Sequence, residues 1–375
     1  MEKMRRKMKI PIAIYPYCQE LFSIVKYFDE LQREYKLVSL ISPEGYGLKG
    51  KDASFVNNYP NINIKVHSDV DEDMDKWEIL LVVEVMQENL EVYNQKLELI
   101  SKVLENNKKV FYFPKNIYDI KEEITIFEQK HRDNFLIWGK EVEKEIINLE
   151  DVKNQTFDKN KITAPIFFIG GLLEQTDVTE IVFKIISYMI MKGKKILGYI
   201  NSPMYSFLGL ESIKPIFDNK AFSEKEKIDV LQYVISKRDS TNYPDFIIIE
   251  APDPIMQYNT MIPNGYGIYT YMLTRVVDID YFIACIPYKF LEKKFIDLIR
   301  KDWYIRLGCD IDIIHASNIV IDTTDSFERK EISIFYENMD SVNKKISQIK
   351  LERVFNIVCE DMEKVIDVLR NNNFV

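Results

Sequence analysis

The sequence predicts an α/β protein of two consecutive three-layer domains, each built on a parallel sheet, followed by a C-terminal helical tail. Three observations predict it. Short apolar runs alternate with longer runs of helical periodicity along the whole chain, the order that βαβ units produce. The 375 residues suit two domains at about 150 residues each. The stretch 141–163 is polar with little apolar periodicity, which reads as a linker. The domains are therefore expected over 1–145 and 160–338, with the tail at 339–375.

In the first domain, the apolar run 10–15 reads as the first strand. A helical pattern over 20–35 follows, with Leu21, Ile24, Val25, Phe28 and Leu31 on one face. Residues 37–42 form the second strand candidate, 62–66 a short edge strand and 79–83 a buried strand. A helix over 88–106 leads to a strand at 109–113, and a helix over 118–130 leads to a strand at 135–138. This is the layout of a Rossmann-like domain. Its first strand turns through Tyr15-Pro-Tyr-Cys-Gln-Glu, however, and no Gly-x-Gly-x-x-Gly fingerprint marks a dinucleotide site.

The second domain opens with a strand at 164–171 that ends in Gly170-Gly171. A helix over 177–192 follows, with Ile181, Ile185, Ile186 and Met189 inward and Gly193 as its stop. Residues 195–200 form the next strand. Ser223 and Glu226 form a capping box that opens a helix to about residue 237. The run 244–250 is a strongly buried strand. A strand at 281–286, an amphipathic helix over 289–306 and late strands at 310–315 and 319–322 complete the domain. The tail reads as helices around a short apolar run at 354–358.

Composition narrows the function classes. Apolar residues make up 46% and charged residues 29% of the chain, enough for ordinary cores and a solvated surface. The net charge of −9 argues against a partner held by phosphate neutralisation, so no nucleic acid is expected. The basic cluster Lys3, Arg5, Arg6, Lys7 and Lys9 reads as a solvated start to the chain. The four cysteines, Cys18, Cys285, Cys309 and Cys359, lie far apart, and histidines number only three. No metal site follows from such spacing. With no export signal and no apolar run long enough for a membrane span, the expected setting is the reducing cytoplasm, with no membrane partner.

Four constellations could carry chemistry. The first is the strand–loop–helix Phe167-Phe-Ile-Gly-Gly-Leu-Leu-Glu-Gln-Thr-Asp-Val-Thr-Glu. In a phosphate-binding P-loop, backbone amides cradle the anion, a lysine reaches the outer phosphates and a Ser or Thr hydroxyl holds magnesium. Gly170, Gly171, Thr176 and Thr179 fit parts of that scheme, but Gln175, Thr176 and Asp177 stand where the lysine belongs. The plain alternative is a βα turn with Thr176 as N-cap and Thr179 reaching back to it. The second is Asp245-Phe-Ile-Ile-Ile-Glu-Ala-Pro-Asp-Pro, in which Glu250 and Asp253 are candidates for the magnesium-holding carboxylate, or else turn formers and caps. The third is Asn264-Gly-Tyr-Gly before a helix, either an anion-binding entry or a turn built on glycine torsions. In the first domain, Gly45, Gly47 and Gly50 with Lys49 and Lys51 form a basic loop suited to phosphate or an acidic peptide, or an ordinary exposed loop. Cys18 near a helix start is either a reactive thiol or a buried structural one.

The opening Ile-Ala-Ile-Tyr-Pro-Tyr-Cys-Gln-Glu-Leu and the segment Leu40-Ile-Ser-Pro-Glu-Gly-Tyr-Gly-Leu-Lys-Gly-Lys-Asp-Ala-Ser resemble the peptide maturation system proteins of anaerobic low-GC bacteria. Ile-Phe-Phe-Ile-Gly-Gly, Pro-Asp-Phe-Ile-Ile-Ile-Glu-Ala-Pro and Arg306-Leu-Gly-Cys-Asp resemble the second half of the same family. The resemblance implies a place beside a Cys-rich peptide precursor and a radical-SAM maturase, in the biosynthesis of a ribosomally synthesised peptide natural product. It names a pathway and no reaction. The second half also resembles a P-loop NTPase-like domain whose loop has lost its lysine. Three readings follow. The chain could hold the precursor peptide or the maturase without turnover. It could be a magnesium-dependent ATP or GTP enzyme acting on a peptide, with Thr176, Glu250 and Asp253 around the metal. It could bind a small metabolite through the loop at 45–51.

Overall fold

A computed structural model of the protein describes residues 8–57, 59–85, 88–140, 152, 162–349 and 351–370. The basic residues Lys3, Arg5, Arg6 and Lys7 and nearly all of the expected linker lie outside them. The chain divides into two compact units. Unit 1 comprises Met1–Glu145 together with Ser202–Gly209, and unit 2 comprises Ile146–Asn201 and Leu210–Val375.

Among the described residues, unit 1 carries six strands: β1 (Ile10–Tyr15), β2 (Tyr35–Ile41), β3 (Val66–His67), β4 (Ile79–Val83), β5 (Lys109–Phe113) and β6 (Phe135–Ile137). All pair in parallel, in the order β3-β2-β1-β4-β5-β6. β4 is apolar throughout and buried at every position, as a strand covered on both faces must be. The helices are α1 (Phe22–Leu31), α2 (Leu90–Glu105) and α3 (Glu122–Lys130). Asn89 caps α2 by accepting from the Val92 amide. α1 stops four residues before the periodicity does. Gln32 turns extended there, and its carboxamide is occupied: Oε1 accepts from the Glu34 amide and Nε2 donates to the Phe207 carbonyl.

That last contact belongs to a part of unit 1 that lies far along the chain. The segment Ser202–Gly209, with one helical turn at Pro203–Ser206, brings Phe207 among Phe28, Tyr35, Phe111, Phe113 and Trp138. The ring centroids lie 4.6 Å (Tyr35) to 6.3 Å (Phe28) from that of Phe207. Trp138 Nε1 donates to Ser206 Oγ at 2.7 Å. Phe207 itself is 3% exposed, so this segment completes the apolar interior of unit 1.

Unit 2 is built on β7 (Ile166–Gly171), β8 (Ile196–Ile200), β9 (Glu211–Ser212), β10 (Phe246–Glu250), β11 (Tyr281–Pro287), β12 (Ile313–Ser317) and β15 (Val354–Phe355). The seven form one parallel sheet in the order β15-β12-β11-β7-β10-β8-β9. The late strand expected at 319–322 forms instead a small antiparallel pair, β13 (Ile319–Ile321) with β14 (Ile334–Tyr336). Helix α4 (Val178–Met191) follows β7, and α5 (Glu224–Asn242) opens on the expected capping box of Ser223 and Glu226. The tail holds two helices, Met339–Gln348 and Met362–Arg370, with the apolar run between them giving β15 at the sheet edge. Lys184 of α4 fastens the tail: its Nζ donates to the carbonyls of Ile357, Val358 and Glu360 at 2.6, 2.8 and 2.7 Å.

Candidate functional site in unit 2

β7 lies between β10 and β11, so the loop after it emerges at the centre of the sheet, at the carboxyl ends of the strands. The loop folds in on itself. The Leu172 amide donates to the Cys285 carbonyl of β11, the Thr176 amide to Leu173 O and the Asp177 amide to Gln175 O at 2.9 Å. The Thr176 hydroxyl, fully buried, donates to Leu173 O at 2.7 Å. A Cβ on Gly171 would lie 2.1 Å from that hydroxyl, so only glycine lets the strand end pass the closed turn. Gly170 is less confined: its added Cβ would lie 2.8 Å from Ile255 Cδ1, the end of a side chain, and 3.0 Å from Ala251 Cβ. Thr176 is not the N-cap of α4. Asp177 is, with φ of 61°, and no side chain caps the helix.

The Asp177 carboxylate turns instead to His315 of β12, with Oδ2 3.1 Å from Nε2. Both side chains are almost wholly buried. His315 Nδ1 accepts from the Ile357 amide at 3.1 Å, which assigns the ring proton to Nε2 and the donation to Asp177. Cys285, beside His315 in the β11–β12 register, therefore finds no free nitrogen on that ring to take its proton. Burial, and after it the charge of Asp177, pushes the Cys285 thiol well up.

Glu250 ends β10, which pairs directly with β7. Its Oε1 accepts from the Thr179 hydroxyl at 2.5 Å and its Oε2 from the Asn201 amide at 2.9 Å. Desolvation holds its carboxyl above the usual range, against the opposing pull of those two hydrogen bonds. This is the pairing of helix-start hydroxyl and strand-end acid that a magnesium site would use. Asp253 is engaged elsewhere. It accepts from the amides of Thr270 at 2.8 Å and Tyr269 at 3.3 Å, at the start of the helix Ile268–Thr274. In the Asn264-Gly-Tyr-Gly turn, Gly267 has φ of 72° and its added Cβ would lie 2.1 Å from the Ile255 carbonyl, so close backbone approach accounts for that glycine.

The lysine is absent in either register. Counted from Gly171, Asp177 takes its place; counted back from the hydroxyl that meets Glu250, Val178 does. The nearest lysine along α4 is Lys184, which is spent on the tail. A phosphate here would meet the Asp177 carboxylate and a turn in which the Leu172, Thr176 and Asp177 amides are already bonded.

In unit 1, Gly45, Gly47 and Gly50 take left-handed backbone in a turn stitched to β3, with the Gly50 amide on Val66 O and the Val66 amide on Lys51 O. Lys49 pairs with Glu72 at 3.6 Å and the Lys51 ammonium lies 3.5 Å from the centroid of the Phe55 ring, so both lysines serve local partners. The Cys18 thiol is pushed up to about 12 by burial and then by Glu20, the opposite of an activated thiolate.

Sequence reasoning missed His315, Asn201 and the role of Asp177. Their partners lie far off in the chain, and no local spacing signals them. Among solved structures, the chain is similar to a DUF1611 family protein from Anabaena variabilis ATCC 29413, with a TM-score of 0.62 and 10% identity over 97% of this chain and 100% of that one. At that identity the likeness shows the fold. No protein-family model matches the chain, and no curated protein does.

Proposed function

We propose that this chain is a binding protein without nucleotide turnover, serving the maturation of a ribosomally synthesised peptide by holding the precursor or its maturase. One observation carries the first half of that reading. The loop after β7 presents the Asp177 carboxylate, locked to His315, where a phosphate-binding loop needs a cation. The pathway rests on the resemblance of the motifs around Tyr15, Gly45 and Gly170. The test is isothermal titration with ATP and GTP, with and without magnesium, and then with the Cys-rich precursor peptide. The expected result is no nucleotide heat and saturable peptide binding. Micromolar, magnesium-dependent nucleotide binding would overturn the reading of a loop that takes no nucleotide, and silence with both the peptide and the maturase would overturn the holder.

A second reading has its own support. Thr179 and Glu250 keep the hydroxyl–carboxylate pairing of a magnesium site. A nucleotide-dependent enzyme predicts magnesium-dependent binding that Glu250→Gln removes.

A further inference from the structure

His67, on the edge strand β3 of unit 1, is held between two carboxylates. Its Nδ1 lies 2.9 Å from Glu72 Oε2 and its Nε2 lies 2.8 Å from Asp73 Oδ2. The second oxygen of each carboxylate meets a lysine. Asp73 Oδ1 accepts from Lys76, and Glu72 Oε1 lies 3.6 Å from Lys49 Nζ. A lysine beside a carboxylate favours its ionised form, which accepts hydrogen bonds and cannot donate them. Each nitrogen of the ring must then carry a proton, so the arrangement is that of an imidazolium. The His67 hydrogen bond comes first in holding the Glu72 carboxyl below its ordinary value, and Lys49 adds to it against partial desolvation. Other charges nearby serve different partners. Asp71 pairs with Lys102 of α2, Asp69 caps the turn Val70–Glu72, and Asp52 accepts from Ser54 and the Ile62 amide. Lys65 and Asp75 are exposed.

The ring joins two pieces of chain. β3 is short, with Val66 and His67 paired to Leu40 and Ile41 of β2. The segment after it consists of two single turns, Val70–Glu72 and Met74–Lys76, and brings Val70 and then Trp77 into the core of unit 1. A neutral ring has one N–H to give. The Asp73 side chain is 7% exposed and that of Glu72 is 37% exposed. The remaining proton therefore stays on Nε2, facing the carboxylate that water reaches least. The Glu72 oxygen then faces the bare lone pair of Nδ1, and this more exposed side chain turns to solvent.

We propose that His67 is a proton-operated clasp: with both ring nitrogens protonated it holds the turn Val70–Glu72 against β3, and on giving the Nδ1 proton to solvent it releases Glu72 and loosens that turn. The clasp lies in unit 1 and does not depend on the function proposed for unit 2. The experiment follows the full chain from about pH 5 to about pH 9. Nitrogen NMR of the three histidines reads the ring protons, and His67→Gln assigns the His67 signal. Amide exchange, corrected for its chemical dependence on pH, reads the turn, with β5 as the internal reference. Exchange at residues 70–73 rises several-fold over the interval in which the His67 ring loses its proton, while β5 stays protected. Glu72→Gln removes that step. Its carboxamide offers an oxygen to the charged ring and an N–H to the neutral one, so the contact survives in both states. If the ring loses its proton with no step at 70–73, if the step persists in Glu72→Gln, or if the ring holds a single proton throughout, the proposal is wrong.

Discussion

A carboxyl group sealed from water with no cationic side chain beside it folds best when it carries its proton. Glu250 is in that position: burial raises it above its ordinary value of 4.5 and the hydrogen bonds from Thr179 and Asn201 offset this in part. The native state therefore binds the proton more tightly than the unfolded chain. Glu250's unfavourable contribution is absent below pH 4.5, grows as pH rises through and above that value, and is full above the raised pKa. Glu250→Gln keeps the shape and removes the ionisation. Its thermal midpoint should exceed that of the parent at pH 8, and the gap should close as the pH falls toward 4.5, a trend that calorimetry across the range would show. His315 has both ring nitrogens committed, one to Asp177 and one to the Ile357 amide. His315→Leu would strand the Asp177 carboxylate and the Ile357 amide, at a cost of about 3 kcal/mol in chemical denaturation. These roles were legible in sequence only in part. Glu250 could be read as a strand-end acid from its local run, but Asp177 and His315 are 138 positions apart, and only the sheet order joins them.

Elements were legible where their determinants are local. The capping box at Ser223 lies within three residues, and the structure has it as read. Ser223→Ala should cost about 1 kcal/mol of unit 2 stability, measured by urea titration. The late strands were harder. Both the run 319–322 and the run 354–358 are short and apolar, yet one forms a small hairpin and the other an edge strand. The run at 354–358 is anchored by distant partners: Lys184 on the carbonyls that follow β15 and His315 on the Ile357 amide. Lys184→Met removes those three donors while keeping the apolar stem. Amides of residues 354–369 should then exchange with deuterium at least several-fold faster than in the parent, while those of β7 and β10 stay protected. Equal protection of the tail in both proteins would show that the lysine is not what holds it.

At the scale of the molecule, the two parallel sheets follow from the alternation of apolar runs and helical periods. The return of Ser202–Gly209 to unit 1 carried no signal. Phe207 is one of many aromatic residues in this chain, and its partners Phe28, Tyr35, Phe111, Phe113 and Trp138 are spread between residues 28 and 138. Phe207→Ala would open a cavity in unit 1 and should destabilise it by about 3–5 kcal/mol, read as an earlier loss of tryptophan fluorescence from Trp138. The same segment sets a timetable. A nascent chain emerges from its N-terminal end, and domains ordinarily fold as they appear. Here the first sheet can be made and released in full while its aromatic interior still lacks a plug, and the ribosome must translate on to Gly209 before that interior can be sealed. Until then it is exposed to any chaperone, or any neighbouring chain, that offers a ring of its own.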